Sequence, residues 1–128
     1  VTLNKRSGKI VFPDPHSAGE DGLLCVGGNL EIETLCQAYR LGIFPWPHEG
    51  YPMLWFCPEN RGVLDFNELH WPKRFLRSLK NPTFRITFDR AFSEVIKRCA
   101  AKPRAHEAGT WILPQMQEAY VRMHEAGY

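Results

Sequence analysis

No apolar run in these 128 residues approaches the roughly 20 that a membrane-spanning helix needs, and no long apolar stretch near the N-terminus marks a signal peptide. The expectation is a soluble, cytoplasmic chain with no membrane partner. Cysteine is sparse: Cys25, Cys36, Cys57 and Cys99 stand far apart, with no C-x-x-C pair and none of the nearby paired histidines that structural zinc requires. They read as small buried hydrophobes. His16, His48, His70, His106 and His124 are equally scattered, so no metal is expected. Both phosphate-loop signatures are absent, and the glycines of GEDGLLCVGGNL read as turn formers. No Ser/His/Asp or Cys/His arrangement is recognisable, there are no repeats or low-complexity tracts, and no cofactor is expected.

What remains is enough for one ordinary domain, or a small domain plus part of another, since 44% of the residues are hydrophobic and can supply a core. The net charge of +2 hides an asymmetry. Residues 1–62 hold five Lys/Arg against seven Asp/Glu, whereas residues 63–128 hold eleven against seven. Between Trp71 and Arg104 the basic residues are Lys73, Arg74, Arg77, Lys80, Arg85, Arg90, Lys97, Arg98, Lys102 and Arg104, opposed only by Asp89 and Glu94. A surface of that sign attracts a phosphate backbone, and its contribution weakens with salt. A solvated helix face has the same composition, so charge alone leaves both readings open.

Along the chain, Lys9 to Phe12 reads as a short strand ending at the turn FPDP, and Gly27 and Gly28 mark a second turn. Ile32, Leu35, Cys36 and Tyr39 fall at i, i+3, i+4 and i+7 of a helix, with Gly42 where a C-terminal cap belongs. Residues 52–57 and 62–66 read as short strands around the turn PENRG, a plausible domain seam. Pro72 suits the first turn of a helix that sets Phe75, Leu76 and Leu79 on a packed side and Lys73, Arg74, Arg77 and Lys80 over the rest. Phe84 to Phe88 alternates as a half-buried strand does, and Asp89 offers an N-cap to a helix carrying Phe92, Val95, Ile96 and Cys99 on one face. After the loop AAKPRAHEAGT, a last helix from about Pro114 aligns Met116, Ala119, Tyr120 and Met123.

The most unusual stretch is AYRLGIFPWP, which packs Tyr39, Phe44 and Trp46 around two prolines. Proline fixes its own φ and pushes the preceding residue towards extended geometry, so Pro45 and Pro47 hold Trp46 in one orientation. Such a Trp either caps a core or is presented to a ligand. With FPDPHSAGEDGLLCVGGNLEIETLCQAYRLGIFPWP, YPMLWFCPENRGVL, FRITFDRAFSEVIKRCA, GTWI and EAYVRMHEAGY in this order, the chain closely resembles the bacterial leucyl/phenylalanyl-tRNA–protein transferase family along nearly its whole length. It departs from the family's usual pattern with WFCPENR where WWSPDPR is typical and FPWP where FPWF is common.

The resemblance implies an α+β fold: a small N-terminal α/β domain at 1–62, followed at 63–128 by the opening of an acetyltransferase-like (GNAT) domain. It implies that the chain is the N-terminal portion of a longer protein. The activity implied is transfer of Leu or Phe, sometimes Met, from Leu-tRNA or Phe-tRNA to proteins with N-terminal Arg or Lys, which tags them for degradation. Tyr39, Trp46, Trp111 and Tyr120 match the family's aromatic site for the aminoacyl-adenosine end, although spacing alone reads Tyr120 as core. Lys73, Arg74, Arg77, Lys80, Lys97 and Arg98 are the candidates for the tRNA backbone. The family's acid/base pair, an aspartate and a glutamine, is expected beyond Tyr128, so no catalytic residue is assigned and the fragment is expected to be inactive alone. The alternative is a non-catalytic module that binds RNA or another acidic partner, with its aromatics as core.

Overall fold

The computed structural model describes residues 2–3, 5–6, 9–80, 82–103 and 109–128; Arg104 and His106 lie outside them. Contacts gather the chain into two units, one of Val1–Glu59 with Ala91–Tyr128 and one of Asn60–Arg90. The expected α+β character holds: among the described residues there are four helices and a three-stranded antiparallel sheet, with a separate two-stranded ribbon.

In the first unit, β1 (Lys5–Arg6) pairs antiparallel with β2 (Lys9–Ile10). The larger sheet contains β3 (Leu23–Val26), β4 (Phe44–Pro45) and β5 (Leu54–Phe56), with β5 central. Pro45 stands on edge strand β4, where its missing N–H removes nothing from the ladder. The β3–β5 register shifts between Leu23 and Cys25, and this irregularity breaks the strand's alternation so that consecutive Leu24 and Cys25 are both buried. Trp55, on the central strand, is fully buried with Leu35, Ala38, Ile43 and Ala119 around it in one apolar core. Cys25 lies in that core, where burial pushes its thiol up to about 11.

Helix α1 (Ile32–Arg40) forms where expected, but its inward face is Thr34, Leu35 and Ala38 rather than the predicted line of Ile32, Leu35, Cys36 and Tyr39, and Tyr39 is left exposed. Its end is a Schellman motif: the Ile43 N–H donates to the Ala38 carbonyl at 2.8 Å and the Gly42 N–H to Tyr39 at 3.1 Å, with Gly42 at φ 74°. This closure aims the chain directly from α1 into β4. Helices α3 (Phe92–Ala101) and α4 (Pro114–Glu125) pack on one another, and α4 also packs on α1. Phe92 stacks on His124 with ring centroids 4.7 Å apart, while Met116 and Ala119 are buried. The Arg122 guanidinium donates to the Leu30 carbonyl at 3.4 Å and ties α4 to the turn before α1.

Gly22 is a position where only glycine fits. It has φ 79°, and a Cβ there would stand 3.0–3.2 Å from the Cβ, Cα and N of Pro58. Its carbonyl also accepts from the Cys57 N–H at 2.8 Å, so the two segments have little freedom to part. Gly22→Ala is expected to lower stability by about 2 kcal/mol, combining left-handed strain with this contact. A urea midpoint unchanged from the parent protein would refute that.

The second unit contains a 3₁₀ turn at Phe66–Glu68, capped by the Asp65 carboxylate on the Asn67 N–H, and α2 (Lys73–Lys80). Several sequence expectations fail in this region and just after it. Residues 62–66 form no strand. Phe84–Phe88 forms none either, and Phe84, Ile86 and Phe88 are 82%, 73% and 84% exposed. Alternation prepares a strand, but among the described residues no neighbouring strand pairs with this one. Phe75, Leu76 and Leu79 of α2 stay roughly half exposed rather than packed. Asp89 has φ 54° and so lacks the extended geometry of an N-cap; Ala91 occupies that position without a side-chain bond. Cysteine burial also divides: only Cys25 is fully enclosed, and Cys99 is exposed.

Candidate functional site

The four aromatic candidates all lie in the first unit and meet as two pairs. Trp46 follows β4, its N–H donating to the Leu54 carbonyl at 2.9 Å between the buried prolines Pro45 and Pro47. The ring is 43% exposed, so it is presented to solvent rather than used to seal the core. Trp111 comes from the loop before α4, where the Thr110 hydroxyl accepts from the Ile112 N–H at 3.1 Å and the Gln117 amide donates to the Ile112 carbonyl at 3.2 Å. These bonds fix the residue following Trp111. The two indoles stack with centroids 5.9 Å apart and planes inclined by 26°.

Tyr39 leaves the last turn of α1 and Tyr120 stands mid-way along α4; their hydroxyls hydrogen-bond to one another. The rings are tilted, with centroids 6.4 Å apart. Although its side chain is 42% exposed, surrounding protein desolvates the Tyr39 phenol and pushes its pKa up to about 12. The phenol therefore serves as a neutral hydrogen-bonding group at physiological pH.

That shift has a stability consequence of definite sign. An unfolded tyrosine ionises near about 10, so between that pH and about 12 the folded chain retains a proton the unfolded chain has lost. The contribution is fully present below the unfolded value and disappears as pH rises through the folded one. Tyr39→Phe should therefore flatten the decline in urea midpoint across that window, compared with the parent measured in parallel. Identical slopes would oppose the assignment.

A further feature adjoins Trp46. An open cavity of about 300 Å³ is lined by Asp21, Phe44, Trp46, His48, Phe56 and Pro58. Phe44 and Phe56 face one another across the β4–β5 pair and stack with centroids 6.3 Å apart, and Phe44 meets Trp46 edge-on at 6.2 Å. The Asp21 carboxylate accepts from the Leu23 N–H at 3.0 Å, which fixes the turn that carries it. Phe44 stands in the unusual aromatic and proline stretch AYRLGIFPWP; sequence reasoning does not single out Asp21, His48, Phe56 or Pro58. The YPMLWFCP run signalled a strand rich in aromatics, but only the register brings Phe56 opposite Phe44.

The basic candidates occupy two separate elements. Lys73, Arg74, Arg77 and Lys80 are all exposed on α2, where their helical spacing gathers them on the face away from Phe75 and Leu79. Lys97 and Arg98 are exposed on α3. Arg98 is ion-paired with Glu94 at 2.7 Å, a contact that holds the glutamate below its ordinary carboxylate range. Among the described residues no group of three or more His, Cys, Asp or Glu is placed to hold a metal ion. Nor is any helix among them long and apolar enough to cross a membrane.

Comparison with known proteins gives one consistent result. A family model described as leucyl/phenylalanyl-tRNA protein transferase matches residues 63–128, and one for the N-terminal domain of the same transferase matches residues 28–59. Among similar curated proteins, the leucyl/phenylalanyl-tRNA–protein transferase of Nitratidesulfovibrio vulgaris strain DP4 is 47% identical over 118 residues, covering 92% of this chain and 50% of the relative. The protein of that name from Maridesulfovibrio salexigens is 49% identical, covering 92% and 49%. The one from Anaeromyxobacter dehalogenans strain 2CP-C is 50% identical, covering 91% and 50%. The chain thus spans about half the length of the curated relatives it matches.

Proposed function

Because the chain belongs to the leucyl/phenylalanyl-tRNA–protein transferase family, we propose that it holds the aminoacyl-adenosine end of Leu-tRNA or Phe-tRNA for transfer to proteins with N-terminal Arg or Lys. Those proteins would thereby be marked for degradation in the cytoplasm. The observation that carries this reading is the Trp46–Trp111 stack, an indole pair assembled from distant segments in which Trp46 is exposed and Trp111 half-buried. Every base has a π-face, so such a surface binds the terminal adenosine without needing to read its sequence.

The geometry refines how the base would sit. The two indoles already contact one another, so an adenine would stack on an outward face of the pair rather than between its members. Tyr39 and Tyr120 would supply hydroxyls to the donor, their mutual hydrogen bond setting the orientation of both. In the first unit exposed Lys97 would meet a phosphate of the donor, and Arg98 would first have to exchange its bond to Glu94; the exposed cations of α2, in the second unit, are by themselves a separate candidate for phosphate contact. Placing the domain boundary at 62/63 belongs to the same proposal and is supported by the two family models, which match residues 28–59 and 63–128 on either side of it; the GNAT-like identity of 63–128 also rests on family membership.

We assign no catalytic acid or base within these residues, and the chain alone is expected to bind its donor without completing transfer. The test is transfer of leucine from charged tRNA to an Arg-initiated peptide, read by mass spectrometry beside a full-length relative. Binding of aminoacyl-adenosine analogue without transfer is the expected result. Transfer by the 128 residues would overturn the assignment of the acid/base groups elsewhere. Equal affinity for charged and uncharged tRNA, with no analogue binding, would favour a general RNA-binding module.

A further inference from the structure

We propose that the open cavity beside Trp46 receives the cationic side chain of the acceptor's N-terminal arginine or lysine, an assignment that rests on the transferase reading above. The walls fit that chemistry. Phe44, Trp46 and Phe56 offer aromatic surface, and Asp21 offers a carboxylate at the same opening. A long alkyl stem ending in a guanidinium or ammonium combines an apolar body with a positive tip, so it can occupy both parts at once. A volume of about 300 Å³ is also small, suited to one side chain rather than to a folded surface.

The charged neighbours of the lining residues in sequence are mostly of the complementary sign, with Arg61 the exception. Asp21, His48 and Pro58 each stand next in sequence to an exposed glutamate, namely Glu20, Glu49 and Glu59. Residues 1–62 are the acidic half of the chain, in contrast to the basic half that carries α2 and α3. An anionic mouth would repel the tRNA backbone while attracting a basic N-terminus. Trp46 belongs both to this cavity and to the stack with Trp111. A side chain seated here would therefore hold its own α-amino group near an adenosine stacked on the same indole pair, as aminolysis of the ester requires.

Asp21→Asn gives a selective test, because the amide oxygen can still accept from the Leu23 N–H and preserve the turn. Short peptide amides beginning with Arg, Lys, Ala or Phe are titrated against the full chain by calorimetry, with amide shifts of residues 21–23 followed by NMR. The Arg and Lys peptides should bind at least about tenfold more tightly than the other two, and Asp21→Asn should remove that preference. Equal binding of all four, preference for Phe, no detectable binding, or an unaltered preference in Asp21→Asn would each overturn the proposal. An aminoacyl-adenosine analogue is titrated into the same samples. Intact analogue binding with failed peptide discrimination strikes only the cavity assignment; failed analogue binding with intact discrimination strikes the donor-site reading.

Discussion

Replacing Trp55 with alanine is expected to lower the unfolding free energy by about 3–5 kcal/mol, the largest loss of any substitution considered for this chain. Trp55 has no exposed surface and sits on the central strand, paired with Cys25 on one side and Pro45 on the other. Its ring meets Phe12 edge-on with centroids 4.8 Å apart. Its indole N–H donates to the Gly27 carbonyl at 2.8 Å. Alanine removes the whole apolar body and also leaves that carbonyl without its donor, two costs that add because they arise from different atoms.

A second variant separates the two costs. Trp55→Phe keeps most of the ring but cannot donate to Gly27, so it should lose about 1–2 kcal/mol. Chemical denaturation with a constant m-value checks both numbers. A loss below about 1.5 kcal/mol for the alanine variant would show that the sheet is not organised around this residue. Because single domains retain only about 5–15 kcal/mol in total, the expected loss removes a large share of the stability that keeps Trp46 in place.

The helices were legible because their signals are local. The helical spacing and the Gly42 cap give the extent and end of α1, although Thr34, Leu35 and Ala38 rather than the predicted line turn inward, and Pro114 opens α4 where the pattern placed it. Phe84–Phe88 failed for the opposite reason. Its alternation describes one strand's two faces, yet a strand is completed by another strand, which no local pattern supplies. Asp89 failed with it, since its left-handed backbone follows from the irregular path that replaces the strand.

The candidate site was legible only through resemblance. Spacing alone read Tyr120 as core, and nothing in the sequence joins GTWI to FPWP or EAYVRM to AYRLG; packing of α4 on α1 does so. The carboxylate of the neighbouring cavity was invisible for a different reason. Asp21 reads as a turn residue, which it is, since it caps the Leu23 N–H; its place beside Phe44 and Phe56 depends on the strand register.

Trp46→Ala is expected to weaken binding of an aminoacyl-adenosine analogue by about 5- to 150-fold, the equivalent of roughly 1–3 kcal/mol for a lost stacking surface. The structural cost of the same change should be much smaller, because 43% of Trp46 is already exposed and the backbone bond from its N–H to Leu54 survives. Trp46 and Trp111 should not be additive. Removing either ring ends their contact and frees the other to reorient, so the double variant should lose less than the sum of the two single losses. Trp46→Phe retains a π-face of smaller area and should recover part of the affinity. The decisive comparison is affinity against stability in the same samples: an alanine variant that folds normally and binds the analogue as tightly as the parent would return Trp46 to the role of a surface cap.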